Sequence, residues 1–372
     1  MAGPLAGIRV LVLAGMGPVP YLAMLLADYG ADVVTVERPS HRSGRELTQT
    51  RDLSRAQDVV RRGISFVELD LKSEEGREIV LDLSSRADVF MEGFRPGVAE
   101  RLGLGPEAIL ELTPRVVYAR VTGYGQSGPR SNDAGHDINY VAQSGALHAM
   151  ARAGERPRPP INLLGDYAAG GALGGFGIVS ALLSAARTGR GQVVDVAMVD
   201  GVALLTAKLQ GLRAAGLYSD EPGTNFLDSG APFYDTYRCA DGGYIAVGAI
   251  EPDFYHEFIS RLDVDTAGWP RQSDQRTWPQ LRELIAAAVS QKSRDEWASV
   301  FENTDACVTP VLSFDEAAED AHNRARGIYR SIDGVVHPAP APRFSATPAR
   351  PPSTPSDRAP AFEDVVRRWA KP

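Results

Sequence analysis

Cysteine is nearly absent. Cys239 and Cys307 are the only two in 372 residues. They are far apart, with no CxxC pair and no Cys/His cluster, so neither a disulfide framework nor a zinc site is indicated, and reduced thiols in a cytoplasmic protein are expected. Positive charge is also short: the net charge is −8 and the pI is near 5.4. That balance argues against a nucleic-acid partner or an anionic membrane surface. The first residues, "MAGPLAGIRVLVLAG", lack a basic region leading into an apolar stretch and a cleavage site, and they read as a first strand. Long apolar runs are scarce. The exception, "YAAGGALGGFGIVSALLSAA" (Tyr167 to Ala186), is uncharged and long enough to cross a bilayer, but it contains five glycines and has no counterpart elsewhere. A buried helix packed closely on a sheet is expected there, because glycine lets backbones approach, and no membrane insertion is expected.

What the chain does have is alternation. "IRVLVLAG", "ADVVTVERP", "ISFVELDL", "ADVFMEGF" and "RVVYARVTGYG" read as buried strands. Between them, "VPYLAMLLADYG", "SEEGREIVLDLSSR" and "PGVAERLG" have helical spacing. This alternation predicts an α/β fold, a parallel sheet with helices on both faces. After Pro222-Gly223 the texture changes, and "YDTYRCADGGYIAVGA" reads as a hairpin turning at Asp241-Gly242. The expected organisation is a large domain over 1–195, linker helices over 196–222, a small α/β domain over 223–320 and a C-terminal segment over 321–372. That last segment is proline-rich and ends in the amphipathic "AFEDVVRRWAK".

The stretch "LVLAGMGPVP…VTVERP" imitates a dinucleotide fingerprint, with Gly15-x-Gly17 after a strand and Glu37 about twenty residues on. The third glycine is replaced by Pro20, with Pro18 before it. Proline has no N–H for a pyrophosphate, so no nicotinamide cofactor is expected. The nearby cations carry more information. Arg38, Lys72, Arg95 and Arg101 follow or lie near strand ends, where open α/β sheets bind ligands. They read either as scattered surface charge or as a set that grips phosphates.

Three groups are acid–base candidates. His136 sits in a Gly-His-Asp turn that opens a helix, where imidazole can take a proton near neutrality and the amides of Asp137 and its successors can hold an oxyanion. Asp166 precedes the glycine-rich helix; it reads either as an N-cap or as a carboxylate whose pKa burial would raise. Glu251, before Pro252, reads as a favourable acid at a helix start or as the orienting partner of a histidine. His148 and Asp200 read as structural.

Taken in order, "ADVVTVERP", "VELDLKS", "GFRPGVAERLGLGP", "RVTGYGQSGPRSNDAGHDINY", "NLLGDYAAGG" and "GQVVDVAMVDG" resemble the family III CoA-transferases, and "AGHDINY" resembles their α-methylacyl-CoA racemase branch. The resemblance runs almost end to end. It departs at Ser43 to Gly63, where an arginine-rich stretch is longer than in close relatives. It implies a Rossmann-like large domain that takes back the C-terminal segment, and an interlocked homodimer of two threaded chains. It also implies inversion of the α-carbon of 2-methyl-branched acyl-CoA thioesters, with His136 and Asp166 as the acid–base pair and Glu251 holding His136. By the same resemblance the CoA moiety of the substrate meets Arg38; Leu69, Asp70, Leu71 and Lys72; Gly93, Phe94 and Arg95; Arg101; and Gly135, Asp137, Ile138, Asn139 and Tyr140. No metal is implied.

Two other readings remain open at this point. In the transferase branch the aspartate matching Asp166 is a nucleophile that passes CoA to another carboxylic acid, and no base is needed opposite it. A non-catalytic acyl-CoA-binding protein would keep the cations and lose proton exchange.

Overall fold

The computed structural model describes residues 3–13, 15–39, 57–353 and 362–369. The chain divides into two units. One comprises Met1–Ser144, Pro160–Thr206 and Ala321–Pro372; the other comprises Gly145–Pro159 and Ala207–Asp320. The sequence-expected boundary at 195 therefore lies inside the larger unit. The reason is that the strand Gln192–Ala197 is part of that unit's sheet.

The sheet of the larger unit contains β1 (Arg9–Leu13), β2 (Asp32–Glu37), β3 (Ile64–Glu68), β4 (Val89–Glu92), β5 (Val117–Thr122) and β6 (Gln192–Ala197). Its order is β3-β2-β1-β4-β5-β6, with every pairing parallel. Side chains alternate along each strand. Val10, Val12, Val89 and Met91 face one way and pack with Leu22 and Ile178. Leu11, Leu13, Phe90 and Tyr118 face the other way and pack with Val80, Leu83, Ile109 and Trp369. Burial on both faces is why these strands read as apolar runs.

The helices of this unit have local causes. α1 (Pro18–Asp28) starts where Gly17 adopts φ +62° and Pro18 occupies the first turn. α2 (Glu74–Ser84) is capped by Ser73, whose Oγ accepts the Gly76 N–H at 3.0 Å. α3 (Val98–Arg101) and α4 (Pro106–Leu112) complete the crossover to β5. α5 (Asp137–Gln143) follows β5, and the short α6 (Ala146–Ala149) belongs to the other unit.

The glycine-rich segment is a π-helix over Leu163–Leu173 that continues as α7 (Gly174–Thr188), and α8 (Met198–Leu205) follows β6. Gly170 lies against Pro18, Gly171 against Tyr21, and Gly174 against Val196 and Leu22, so the close approach expected of these glycines is present. Leu163–Thr188 is long and apolar enough to cross a membrane, yet only 39% of its most apolar stretch is buried. The sequence predicts a buried helix over Tyr167 to Ala186, and this holds only in part. Phe176 (73% exposed), Val179 and Leu183 (53%) stay uncovered on one side of α7.

The C-terminal segment lies on the larger unit. The hairpin β10 (Tyr329–Ile332) and β11 (Val335–Pro338) is followed by chain held through Tyr29 Oη to the Pro342 carbonyl at 3.2 Å and Arg350 N–H to the Asp28 carbonyl at 2.9 Å. Arg62 donates from Nε and Nη2 to Asp28 at 3.0 and 2.7 Å, and from Nη1 to the Pro338 carbonyl at 2.7 Å. His337 is fully buried near this pair, and neither ring nitrogen has a partner among the described residues. The helix Phe362–Trp369 then seats Trp369, whose Nε1 donates to Asp32 Oδ2 at 2.9 Å.

The smaller unit has an antiparallel sheet of β7 (Tyr234–Arg238), β8 (Tyr244–Gly248) and β9 (Val308–Pro310), with the β7–β8 turn at Asp241-Gly242. Helices including Pro252–Ser260, Trp278–Val289 and Arg294–Phe301 cover one face through Phe258, Ile285 and Trp297.

Candidate active site

In an open parallel sheet, ligands bind beyond the carboxyl ends of the strands, where neighbouring connections leave in opposite directions. Here that point lies between β1 and β4. The candidate residues fall along this edge. Arg38 follows β2, Leu69 to Lys72 follow β3, Gly93 to Arg95 follow β4, and Gly135 to Tyr140 come in the connection after β5. Arg38, Lys72, Arg95 and Arg101 are all exposed, and none is in an ion pair with a described residue. The loop that carries Lys72 is fixed. The Lys72 N–H donates to Asp70 Oδ1 at 3.2 Å, and Ser73 Oγ donates to the Asp70 carbonyl at 2.8 Å.

The arginine-rich stretch Ser43 to Gly63 lies outside the described residues as far as position 56. In its described part, Arg61 is held by Glu37 (2.5 Å) and Asp58 (2.7 Å), and Arg62 is held by Asp28. Both guanidiniums are therefore engaged inside the protein. Glu37, the acid at ribose-binding spacing, is engaged by the same Arg61 contact.

His136 is exposed and is the N-cap residue of α5, with extended backbone (φ −127°, ψ 175°). Its own N–H donates to Asn139 Oδ1 at 3.0 Å. The loop before it is pinned by Tyr140, whose hydroxyl donates to the Gly135 carbonyl. The Tyr140 ring fills the space where a Cβ on Gly123 or Gly135 would stand, and it meets Tyr124 edge-on at 5.0 Å. Burial is the largest cause pushing the Tyr140 hydroxyl up to about 12, so it serves as a donor rather than an acid. Ile138 and Asn139 are exposed beside His136, while Asp137 turns inward and is 4% exposed.

Asp166 does not cap the glycine-rich helix. The helix begins earlier, at Leu163, so Asp166 sits inside its first turn, in the π-helical part. π-Helical turns displace a residue from regular helical register and are frequent at functional sites. The Asp166 carboxyl lies over the Cα of Gly17: a Cβ there would be 2.9 Å from Oδ2. Its N–H donates to Asp137 Oδ2 at 2.7 Å, and Asn162 Nδ2 donates to its Oδ2 at 3.3 Å. Burial raises the Asp166 pKa most. The Asn162 hydrogen bond opposes this, the Asp137 carboxylate adds to it, and His136 pulls the other way. A capping carboxylate would be lowered, so the direction of the shift separates the two readings of the sequence. His136 and Asp166 are thus brought within electrostatic reach of each other, one exposed imidazole and one carboxyl biased toward its protonated form.

Sequence reasoning missed Asn162, Gly17 as the floor under Asp166, and the inward carboxylate of Asp137. The spacing of Asn162 four residues before Asp166 was a readable signal for the first. Glu251 lies in the smaller unit. It is exposed, it precedes the helix Pro252–Ser260, and its carbonyl accepts the Tyr255 N–H at 2.9 Å. His148, read as structural, has its Nε2 at 2.8 Å from the Asp220 carbonyl.

Residues 5–364 match the model of CoA-transferase family III. The chain is 45% identical over 349 residues to a mouse protein named alpha-methylacyl-CoA racemase, covering 93% of this chain and 88% of the mouse protein. It is 45% identical over 348 residues to the human protein of the same name, with the same coverage of each. Its fold matches the crystal structure of a CaiB/BaiF family protein from Brucella suis with a TM-score of 0.83 at 24% identity, over 100% of both chains.

Proposed function

The chain belongs to CoA-transferase family III, and from that premise we propose that it is a racemase acting on 2-methyl-branched acyl-CoA thioesters. The observation that carries this reading is the pairing of His136 with a carboxyl, Asp166, whose pKa is raised. Inverting a carbon beside a thioester requires that one group take a proton from one face and another return a proton to the opposite face. Burial raises the Asp166 pKa, which favours the protonated form that can return a proton, and His136 stands within electrostatic reach of it as the second base. His136 takes the α-proton of one enantiomer while Asp166 returns one; the roles reverse for the other enantiomer. The intermediate is a planar enolate. The amides of Asp137 and Ile138, at the opening of α5 with no preceding turn to bond, are the proposed oxyanion donors. These proton transfers call for neither a metal nor a redox cofactor.

The exposed cations Arg38, Lys72, Arg95 and Arg101 are assigned to the phosphates of CoA. Binding of that remote group supplies the energy that positions the reacting carbon. Glu251 is assigned to orient His136, within an interlocked homodimer. The uncovered apolar side chains Phe176, Val179 and Leu183, spaced to share one side of α7, support association with a second copy. If Asp166 were instead a nucleophile passing CoA between acids, no second base would be needed near it, and the presence of His136 within its electrostatic reach runs against that.

The test is incubation of (R)- and (S)-2-methylacyl-CoA with the protein in D2O, with no second carboxylic acid present. Racemisation with α-deuterium uptake is expected, and inversion is expected to be lost in His136→Ala and in Asp166→Ala. CoA migration to an added acid through Asp166 alone, without α-exchange, would overturn the reading.

A further inference from the structure

The segment between β4 and α4 carries two of the exposed cations, Arg95 and Arg101, and it is fastened from beneath by polar side chains of two strands. Phe90 and Tyr118 stack at 4.9 Å on one face of the sheet. Two residues on, that face continues as Glu92 and Arg120, which are direct cross-strand partners. Glu92 is 0% exposed and Arg120 is buried. Glu92 Oε2 accepts the Phe94 N–H at 2.6 Å, and its Oε1 accepts Arg120 Nε at 3.0 Å. The rest of the Arg120 guanidinium reaches forward to Glu100 in α3, at 2.8 and 3.3 Å. Tyr118 Oη donates to the Leu104 carbonyl at 2.8 Å. The segment is therefore tied at Phe94, Glu100 and Leu104, and each cation follows a tied residue by one position.

A buried ion pair is a poor device for stability alone, since apolar side chains of similar volume commonly serve as well. What it provides is direction: the guanidinium fork accepts only one geometry from each carboxylate. Arg120 also occupies Glu100, which would otherwise be free to compete with phosphate for its neighbour Arg101.

We propose that Glu92, Arg120 and Glu100 form a positioning relay that sets Arg95 and Arg101 for the phosphates of the CoA moiety. The relay touches no substrate atom and acts through the segment it holds. This inference rests on the acyl-CoA reading above.

The test compares two probes on the full-length protein, 2-methylacyl-CoA and 2-methylacyl-pantetheine, the second of which lacks the phosphates. Each is measured for KM and kcat, and CoA itself for its dissociation constant by calorimetry. Glu100→Gln alters the exposed end of the relay, where folding is least at risk; Glu92→Gln and Arg120→Lys alter the buried part. In Glu100→Gln, KM and the CoA dissociation constant are expected to rise about tenfold, the size of one weakened charged hydrogen bond, without a matching fall in kcat. The pantetheine thioester is expected to be turned over as by wild type. Equal losses on both probes, or no change on either, would overturn the relay. If wild type itself bound CoA no better than pantetheine, the assignment of the cations to phosphate would fail instead, and the two failures are distinguishable.

Discussion

Gly17 offers the sharpest perturbation of the site, because the structure fixes what a single added methyl would meet. In Gly17→Ala the new Cβ would stand 2.9 Å from Asp166 Oδ2, 3.0 Å from Cγ and 3.1 Å from Oδ1. Comfortable contact is roughly 3.5 Å, so the carboxyl must move by about half an ångström. Misplacing a reacting group by about 1 Å can cost on the order of a hundredfold in rate, and half that distance suggests about tenfold. The backbone adds a separate cost. Gly17 sits at φ +62° and ψ −110°, a region that side chains rarely adopt, where one costs roughly 1–3 kcal/mol of stability. Gly7→Ala separates the two effects, because Gly7 has φ +87° and nothing within 4 Å of its added Cβ. Both variants are expected to lose stability by chemical denaturation, and only Gly17→Ala is expected to lower α-proton exchange, by about tenfold. Full exchange in Gly17→Ala, or equal loss in both, would refute the placement of Asp166 over this glycine.

Other consequences concern charge and packing. Asp166→Asn is expected to lower α-proton exchange about 10²–10⁴-fold. It is also expected to raise the melting temperature at neutral pH: a raised carboxyl pKa means stability that is complete below the unfolded value of 3.8 and lost as pH rises through the folded value. The pKa of His337 is lowered, by burial first and then by Arg62, with Asp28 opposing. Its contribution is therefore complete above 6.5 and lost as pH falls toward the folded value. His337→Phe is expected to flatten the fall in melting temperature between pH 7 and 5, and a variant as pH-sensitive as wild type would contradict this. Trp369→Ala, which empties a fully buried site and removes the bond to Asp32, is expected to cost about 3–5 kcal/mol in denaturation and to expose the C-terminal segment to protease.

The sequence made β1 to β5 of the larger unit readable because they are mostly buried and apolar runs mark them, whereas β6, exposed over most of its length, did not read as a strand and the expected boundary at 195 fell inside it. The position of His136 at a helix start was readable from Gly-His-Asp, and the strand-end cations from their place after "VTVE", "VELDL" and "MEGF". The state of Asp166 was not readable. A regular helix beginning after it would have made it a cap, and only the π-helical start at Leu163 brings it into the turn and over Gly17. The ties beneath Arg95 and Arg101 were invisible for a different reason. Glu92 and Arg120 are 28 positions apart and become neighbours only through the sheet order β4-β5. The same holds for Asp28, Arg62 and His337, which three separate segments bring together. Nor did the sequence reveal that Arg61 and Arg62, at the end of the arginine-rich stretch, are occupied by carboxylates of this chain.

The central claim is that two groups on opposite faces exchange the α-proton with solvent. It is tested most directly by following one enantiomer of 2-methylacyl-CoA in D2O at early conversion, with chirality and α-deuterium read on the same molecules. The account predicts that the inverted product carries solvent deuterium while the remaining substrate still carries protium. It further predicts that His136→Ala retains exchange without inversion for the enantiomer whose α-proton faces Asp166. An inverted product that keeps its own α-protium, or inversion that survives the loss of either group, would contradict it.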